Sequence, residues 1–130
     1  MAAPMVSGVI QTPESFPVKT KQVAVEINKI RTELICMQFK DRVFFIVTQY
    51  NKIGTLVKVT QNNIADETGA RSSMYSTDLL MGIDEPLTHV VARNLITELS
   101  LHKPILLSVA LKDSSAPTVK TIAKILPSLV

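Results

Sequence analysis

Along Lys21–Ile27 apolar and polar residues alternate, with Val23, Val25 and Ile27 on one side, the period of a half-buried strand. Thr32–Phe39 and Arg42–Tyr50 are apolar at both odd and even positions, which predicts strands with two buried faces. Only Lys40 and Asp41 separate them, so they form a hairpin. The turn sequence NKIG before Gly54–Thr60 predicts a second hairpin, between the third and fourth strands. Gln61–Ser73 is polar, contains Gly69 and predicts a long mobile loop, followed by a weaker fifth strand at Met74–Gly82.

After Gly82 the period lengthens to that of a helix. Asp84 is placed to cap it, Glu85 suits the positive end of the helix dipole, and Pro86 is tolerated in the first turn. Leu87, Val91, Leu95 and Leu99, supported by Val90 and Ile96, form the expected inward stripe. His89, Arg93 and Thr97 fall on the polar side, and His102, Lys103 and Pro104 mark the end. Ile105–Lys112 is a sixth strand. A last short helix begins at Ser114 or Ser115, carries Pro117 in its first turn, turns Val119, Ile122, Ala123 and Leu126 inward, and stops at Pro127.

The order βββββαβα defines one α+β domain over residues 18–130, preceded by a Pro-containing segment, 1–17, expected to be a flexible lead-in. Six strands at about 4.8 Å spacing make a sheet roughly 25 Å wide. Two helices about 10 Å across cover only about one face of it. Yet the third strand is apolar on both sides, Phe45 and Val47 on one, Phe44 and Ile46 on the other. Either the helices divide between the faces or a second subunit supplies the cover. In both cases apolar surface is left over, and that predicts a dimer built through the sheet.

Composition narrows the function. The chain is 46% hydrophobic and 19% charged, with a net charge of +3 and its cations spread singly among acids. That favours an acidic protein surface and gives no footprint for nucleic acid. An RNA-binding sheet would also need aromatics on one face, whereas Phe44 and Phe45 point oppositely. Apolar runs such as VFFIV and PILLSVAL are far shorter than the roughly 18–20 residues of a membrane span, and the first residues lack a secretory pattern. One cysteine, Cys36, permits no intramolecular disulfide, which favours a reducing compartment, cytoplasm or nucleus.

Candidate chemistry is sparse. Phosphate-binding, dinucleotide, nucleophile-elbow and zinc-protease motifs are all missing from the sequence, and His89, His102 and Cys36 make no metal set. No catalytic residue, metal or cofactor is assigned. The enzyme alternative would use Cys36 or His89 in a pocket beneath the long loop. Asp84, Glu85, His89 and Arg93 together are better explained as the start of a helix with a solvated or partner-contacting face. Lys120 and Lys124 lie one turn apart on a helix without acids, a positive face that is either simply solvated or suited to docking on an acidic surface.

Three blocks carry a family resemblance: VTQYNKIGTLV (Val47–Val57), LLMGIDEPLTHVVARNL (Leu79–Leu95) and LLSVALKD (Leu106–Asp113). In this order and spacing they resemble the proteasome assembly chaperone 3 family. The resemblance implies a non-enzymatic chaperone with a six-stranded, mostly antiparallel sheet flanked by helices. It implies pairing with a proteasome assembly chaperone 4-like subunit, and also self-association. The dimer would bind α-type subunits of the core particle, chiefly the fifth, promote α-ring formation, and leave as β subunits arrive. Gly54, Thr55, Asp84, Glu85 and Pro86 match the family's fold-determining turn and helix start: Gly54 as a tight-turn glycine, Thr55 as the first residue of the next strand, Asp84 as the cap. Lys52, Arg71, His89, Arg93, Lys120 and Lys124 are the candidate partner contacts, Arg71 within the segment that corresponds to the family's flexible loop.

Overall fold

The structure, a computed structural model, describes residues 6–11, 18–50, 53–65, 71–99 and 103–130; the side chains of 6–11, 62–65 and 71–74 lie outside that description. Its strands are β1 (Val6–Gln11), β2 (Lys19–Ile27), β3 (Ile30–Gln38), β4 (Val43–Thr48), β5 (Thr55–Ala65), β6 (Arg71–Met81) and β7 (Ile105–Ala110). Helix α1 (Pro86–Ile96) lies between β6 and β7, and α2 (Ala116–Ile125) runs into a 3-10 turn at Leu126–Leu129. All six expected strands and both helices are present in the expected order. One strand is additional: residues 6–11 of the expected flexible lead-in pair with β2.

The strands form one sheet in the order β1-β2-β3-β4-β7-β5-β6. Neighbours are antiparallel except β4 and β7, which run parallel with Val43 opposite Ile105 and Thr48 opposite Ala110. The β3–β4 hairpin forms as expected, its turn closed by Phe39 N–H donating to the Arg42 carbonyl. At the β2–β3 turn Asn28 and Lys29 both have positive φ, 51° and 64°, the primed geometry that suits the right-handed twist of a hairpin.

The hairpin expected between Arg42–Tyr50 and Gly54–Thr60 does not form. Strand β7 enters between them and pairs with both. Gly54 marks the junction. Its φ is not in the left-handed region; what requires glycine is proximity, because a Cβ there would sit 2.2 Å from the Val109 carbonyl oxygen. Gly54 N–H also donates to Ser108 Oγ on β7. Thr55 does begin the next strand.

Gln61–Ser73 is also not a long loop. Antiparallel pairing of β5 with β6 continues from Gln61–Tyr75 out to Ala65–Arg71. Pairing of β5 with β7 stops at Val59 opposite Ile105, so the outer part of this hairpin reaches past the end of β7 as a two-stranded ribbon. Polar strands satisfy their backbone in a ribbon without burying side chains, which is why composition alone suggested a loop.

Both helices pack on one face of the sheet, over Val25, Leu34, Phe45, Leu107 and Val57. Val119, Ile122, Ala123 and Leu126 are buried as the pattern of α2 required. In α1 the buried set is Val91, Ala92, Leu95 and Ile96, with Leu99 just beyond the helix. Leu87 and Val90, expected in the stripe, are exposed instead. At about 100° per residue, the buried set centres such that Leu87 lies roughly 110° away and Val90 nearly opposite. A four-residue repeat drifts around a helix, so the inward stripe begins at Val91 and not at Leu87.

Candidate partner-binding surfaces

On the face away from the helices, β3, β4, β7 and β5 present Ile35, Met37, Phe44, Ile46, Leu106 and Leu56, all half-buried. No described element covers them. Between these large residues stand the small ones Ala24, Ser108 and Ala110. Charge is confined to its margins: Arg31 pairs with Glu33 at 3.4 Å at one corner, and Lys58 lies opposite Asp78 at the other. A shallow cleft of about 330 Å³, lined by Arg42, Lys58, Leu80, Pro104 and Leu106, opens at the end where β4 and β7 begin. An apolar centre with a charged rim is the anatomy of a protein interface.

The start of α1 forms a second surface, held by side chains distant in sequence. Glu85, not Asp84, occupies the N-cap position, and it makes no side-chain cap. Asp84 Oδ1 instead lies 2.6 Å from His89 Nε2, and His89 Nδ1 lies 2.6 Å from Thr77 Oγ1 on β6. A carboxylate only accepts, so Nε2–H donates to Asp84, and Nδ1 shares a hydrogen bond with the Thr77 hydroxyl. This chain pins the helix start to the edge strand. His89 is therefore partly buried and engaged, not on a solvated face with Arg93, which is exposed. Thr77, which the sequence reading overlooked, sits on the core side of β6 between Tyr75 and Leu79; its alternation with them was the available signal.

Gly82 follows β6 with φ +116°, against Thr55. Around it Ile53, Met81, Ile83, Leu87 and Val90 are 56%, 54%, 73%, 54% and 49% exposed. Beside them Leu87, Val91, Val109 and Leu111, with the polar Thr55, Thr88, Ser114 and Glu85, line a groove of about 160 Å³.

A third group of residues ties the end of β4 to the start of α2. Gln49 of the first sequence block accepts from the backbone N–H of Lys112 and Asp113 of the third, and its amide donates to Thr32 Oγ1. Asp113 in turn accepts from the Thr118 hydroxyl, the Ser115 N–H and the Asn28 amide. These bonds hold the Asp113 carboxyl well below the usual carboxylate range, Thr118 contributing most. Asp113 thus organises the start of α2, although Ser115 is the N-cap residue.

Of the remaining candidate contacts, Lys120 and Lys124 are exposed on α2 as expected, Lys120 at a groove between the helices that Glu98 also lines. Pro86 is in the first turn of α1. Lys52 and His102 lie outside the described residues; Arg71 begins β6, and its side chain is not described. Cys36 is buried, and burial pushes its thiol up to about 11, the opposite of an activated nucleophile. Among the described residues no cluster of His, Cys, Asp and Glu could hold a metal, and no helix is long and apolar enough to cross a membrane.

One-sided helical cover, an apolar open sheet face and exposed apolar residues at a pinned helix start define an α+β domain with surfaces suited to protein contact. The family model of proteasome assembly chaperone 3 matches residues 45–128. Proteasome assembly chaperone 3 from Mus musculus is 32% identical over 112 residues, 84% of this chain and 90% of the mouse protein. The Homo sapiens protein of that name is 32% identical over 110 residues, 82% and 88% of the two chains. The chain belongs to the proteasome assembly chaperone 3 family, and so to a class of non-enzymatic chaperones. Its fold also matches a chain of a crystal structure described as a novel chaperone complex for yeast 20S proteasome assembly. That match has a TM-score of 0.57 and 14% identity, and covers 84% of this chain and 96% of the yeast one.

Proposed function

We propose that this chaperone acts as a dimer with a related subunit of the proteasome assembly chaperone 4 type, joined through the open sheet face, and that the dimer holds α-type subunits while the α ring forms. The observation that carries this reading is the uncovered apolar face of β3, β4, β7 and β5. Two such faces stacked about 10 Å apart would bury each other as the layers of a sandwich do. The helix layer, with exposed Arg93, Lys120 and Lys124, is then the side turned to an α-type client, in the cytoplasm or nucleus. A homodimer would use the same face. The enzyme alternative loses support from the burial of Cys36 and the engagement of His89 by Thr77 and Asp84.

The test is a pull-down of the tagged chain from its own cell extract with mass spectrometry, run beside Phe44→Asp. The wild type is expected to bring a second small chaperone and α-type subunits with few β subunits. Phe44→Asp is expected to lose the small chaperone while keeping its melting temperature. If the wild type, soluble and folded, brings down neither, the proposed function is wrong.

A further inference from the structure

We infer that the α-type client is anchored at the start of α1, by an aliphatic side chain seated in the groove beside Leu87 with a cation next to it on Glu85. The inference rests on the function proposed above and adds the place and chemistry of the contact.

Exposure is the first argument. Met81, Ile83, Leu87 and Val90 are each about half exposed or more, within one short stretch of chain. Single exposed apolar residues are ordinary, but a contiguous set marks a contact surface. Neighbourhood makes them contiguous: Met81 pairs with Leu56, Gly82 packs against Thr55, and Thr55 shares the groove with Leu87. Val90 is one turn along the helix from Leu87, on an adjoining position.

The groove is the second argument. About 160 Å³ walled by Leu87, Val91, Val109 and Leu111 is room for one branched aliphatic side chain, not for a cofactor or an extended peptide. Its polar lining is Thr55, Thr88, Ser114 and Glu85, of which only Glu85 is charged; Glu85 is exposed and makes no cap bond. The Glu85 carboxylate beside this seat selects a partner carrying Lys or Arg next to its anchor.

Rigidity is the third. Thr77 and Asp84 grip His89 from either side, and Gly82 lies flush on Thr55, so the surface needs little ordering when a partner arrives. The surface is also continuous with the open face, since Leu80, exposed beside Met81, lines the cleft that Leu106 shares. A client seated here would lie against the helix layer, beside the sheet face reserved for the second chaperone.

The experiment measures binding of the purified fifth α-type subunit to the chaperone dimer for wild type, Leu87→Glu and Glu85→Lys, with dimer formation followed separately. Both substituted residues are exposed, so melting temperatures should match the wild type. Leu87→Glu is expected to weaken client binding at least tenfold. Glu85→Lys should weaken it several-fold, by an amount that shrinks as salt is raised. Dimer formation should be unchanged in both. Client binding at wild-type strength in Leu87→Glu would overturn the inference while leaving the proposed function standing. So would loss of the dimer in that variant, which would assign the ridge to the chaperone–chaperone contact. Absence of client binding by the wild-type dimer would overturn both.

Discussion

The side-chain oxygen of Gln49 accepts from the backbone N–H of Asp113 at 2.9 Å, and from that of its neighbour Lys112 at 2.7 Å. A single buried amide thereby fastens the end of β4 to the segment leaving β7. The two parallel strands end together there: Gln49 N–H also donates to the carbonyl of Ala110. Gln49 and Asp113, polar residues of the first and third family blocks, are thus structural.

Removing this amide should be costly. Gln49→Ala and Gln49→Met both leave the Lys112 and Asp113 donors and Thr32 without their partner. Each is expected to destabilise by about 2–3 kcal/mol, roughly 10 °C in melting temperature. Methionine restores the volume but not the bonds, so a mild effect of Gln49→Met alone would mean that packing, not hydrogen bonding, is what Gln49 supplies.

Asp113 makes stability depend on acid. Its carboxyl ionises near pH 3.9 in an unfolded chain and well below that in the folded one. The folded value is the lower, so the stabilisation is complete above about pH 5 and is lost as pH falls through 4 toward 2. Asp113→Asn should start less stable at neutral pH and lose less between pH 5 and pH 2, measured as melting temperature against pH. Parallel curves would show that another group sets the acid limb.

The register of α1 can be tested by paired truncations. Leu95→Ala removes a fully buried side chain and should destabilise by about 2–5 kcal/mol. Leu87→Ala removes an exposed one and should change stability by less than about 1 kcal/mol in the isolated chain. Equal losses by thermal denaturation would put Leu87 back in the core.

Local signals in the sequence were reliable where the structure is local. Alternation placed Val23, Val25 and Ile27 on the core side, and the two-sided apolarity of β4 foretold an open face. The missed features depend on distant partners. Nothing near Gly54 says that β7, some fifty residues later, will lie against it, so a turn was the natural reading. Leu87 fits a four-residue repeat that only the packing of Ala92 and Ile96 reveals to be rotated. The Asp84–His89–Thr77 chain joins two elements whose adjacency no spacing encodes, and Gln49 looked like any polar residue at a strand end. The candidate site follows the same division. Cations on α2 were legible because exposure there is a matter of helical phase, whereas the groove beside Leu87 is shaped by β5, β7 and α1 together.

The placement of β7 also sets the order in which the protein can be made. Translation delivers β1 to β4 and then the β5–β6 hairpin, but these two pieces share no ladder; each waits with a raw edge, β4 on one and β5 on the other. Joining them requires a strand whose contacts span about sixty residues of chain, the kind of closure that comes late in folding. A nascent chain stalled or cut before Ile105 would therefore not be a smaller domain. It would be two half-sheets with adhesive edges, open to pairing with whatever strand passes. A protein that attends the assembly of others thus completes its own sheet only once β7 has been made.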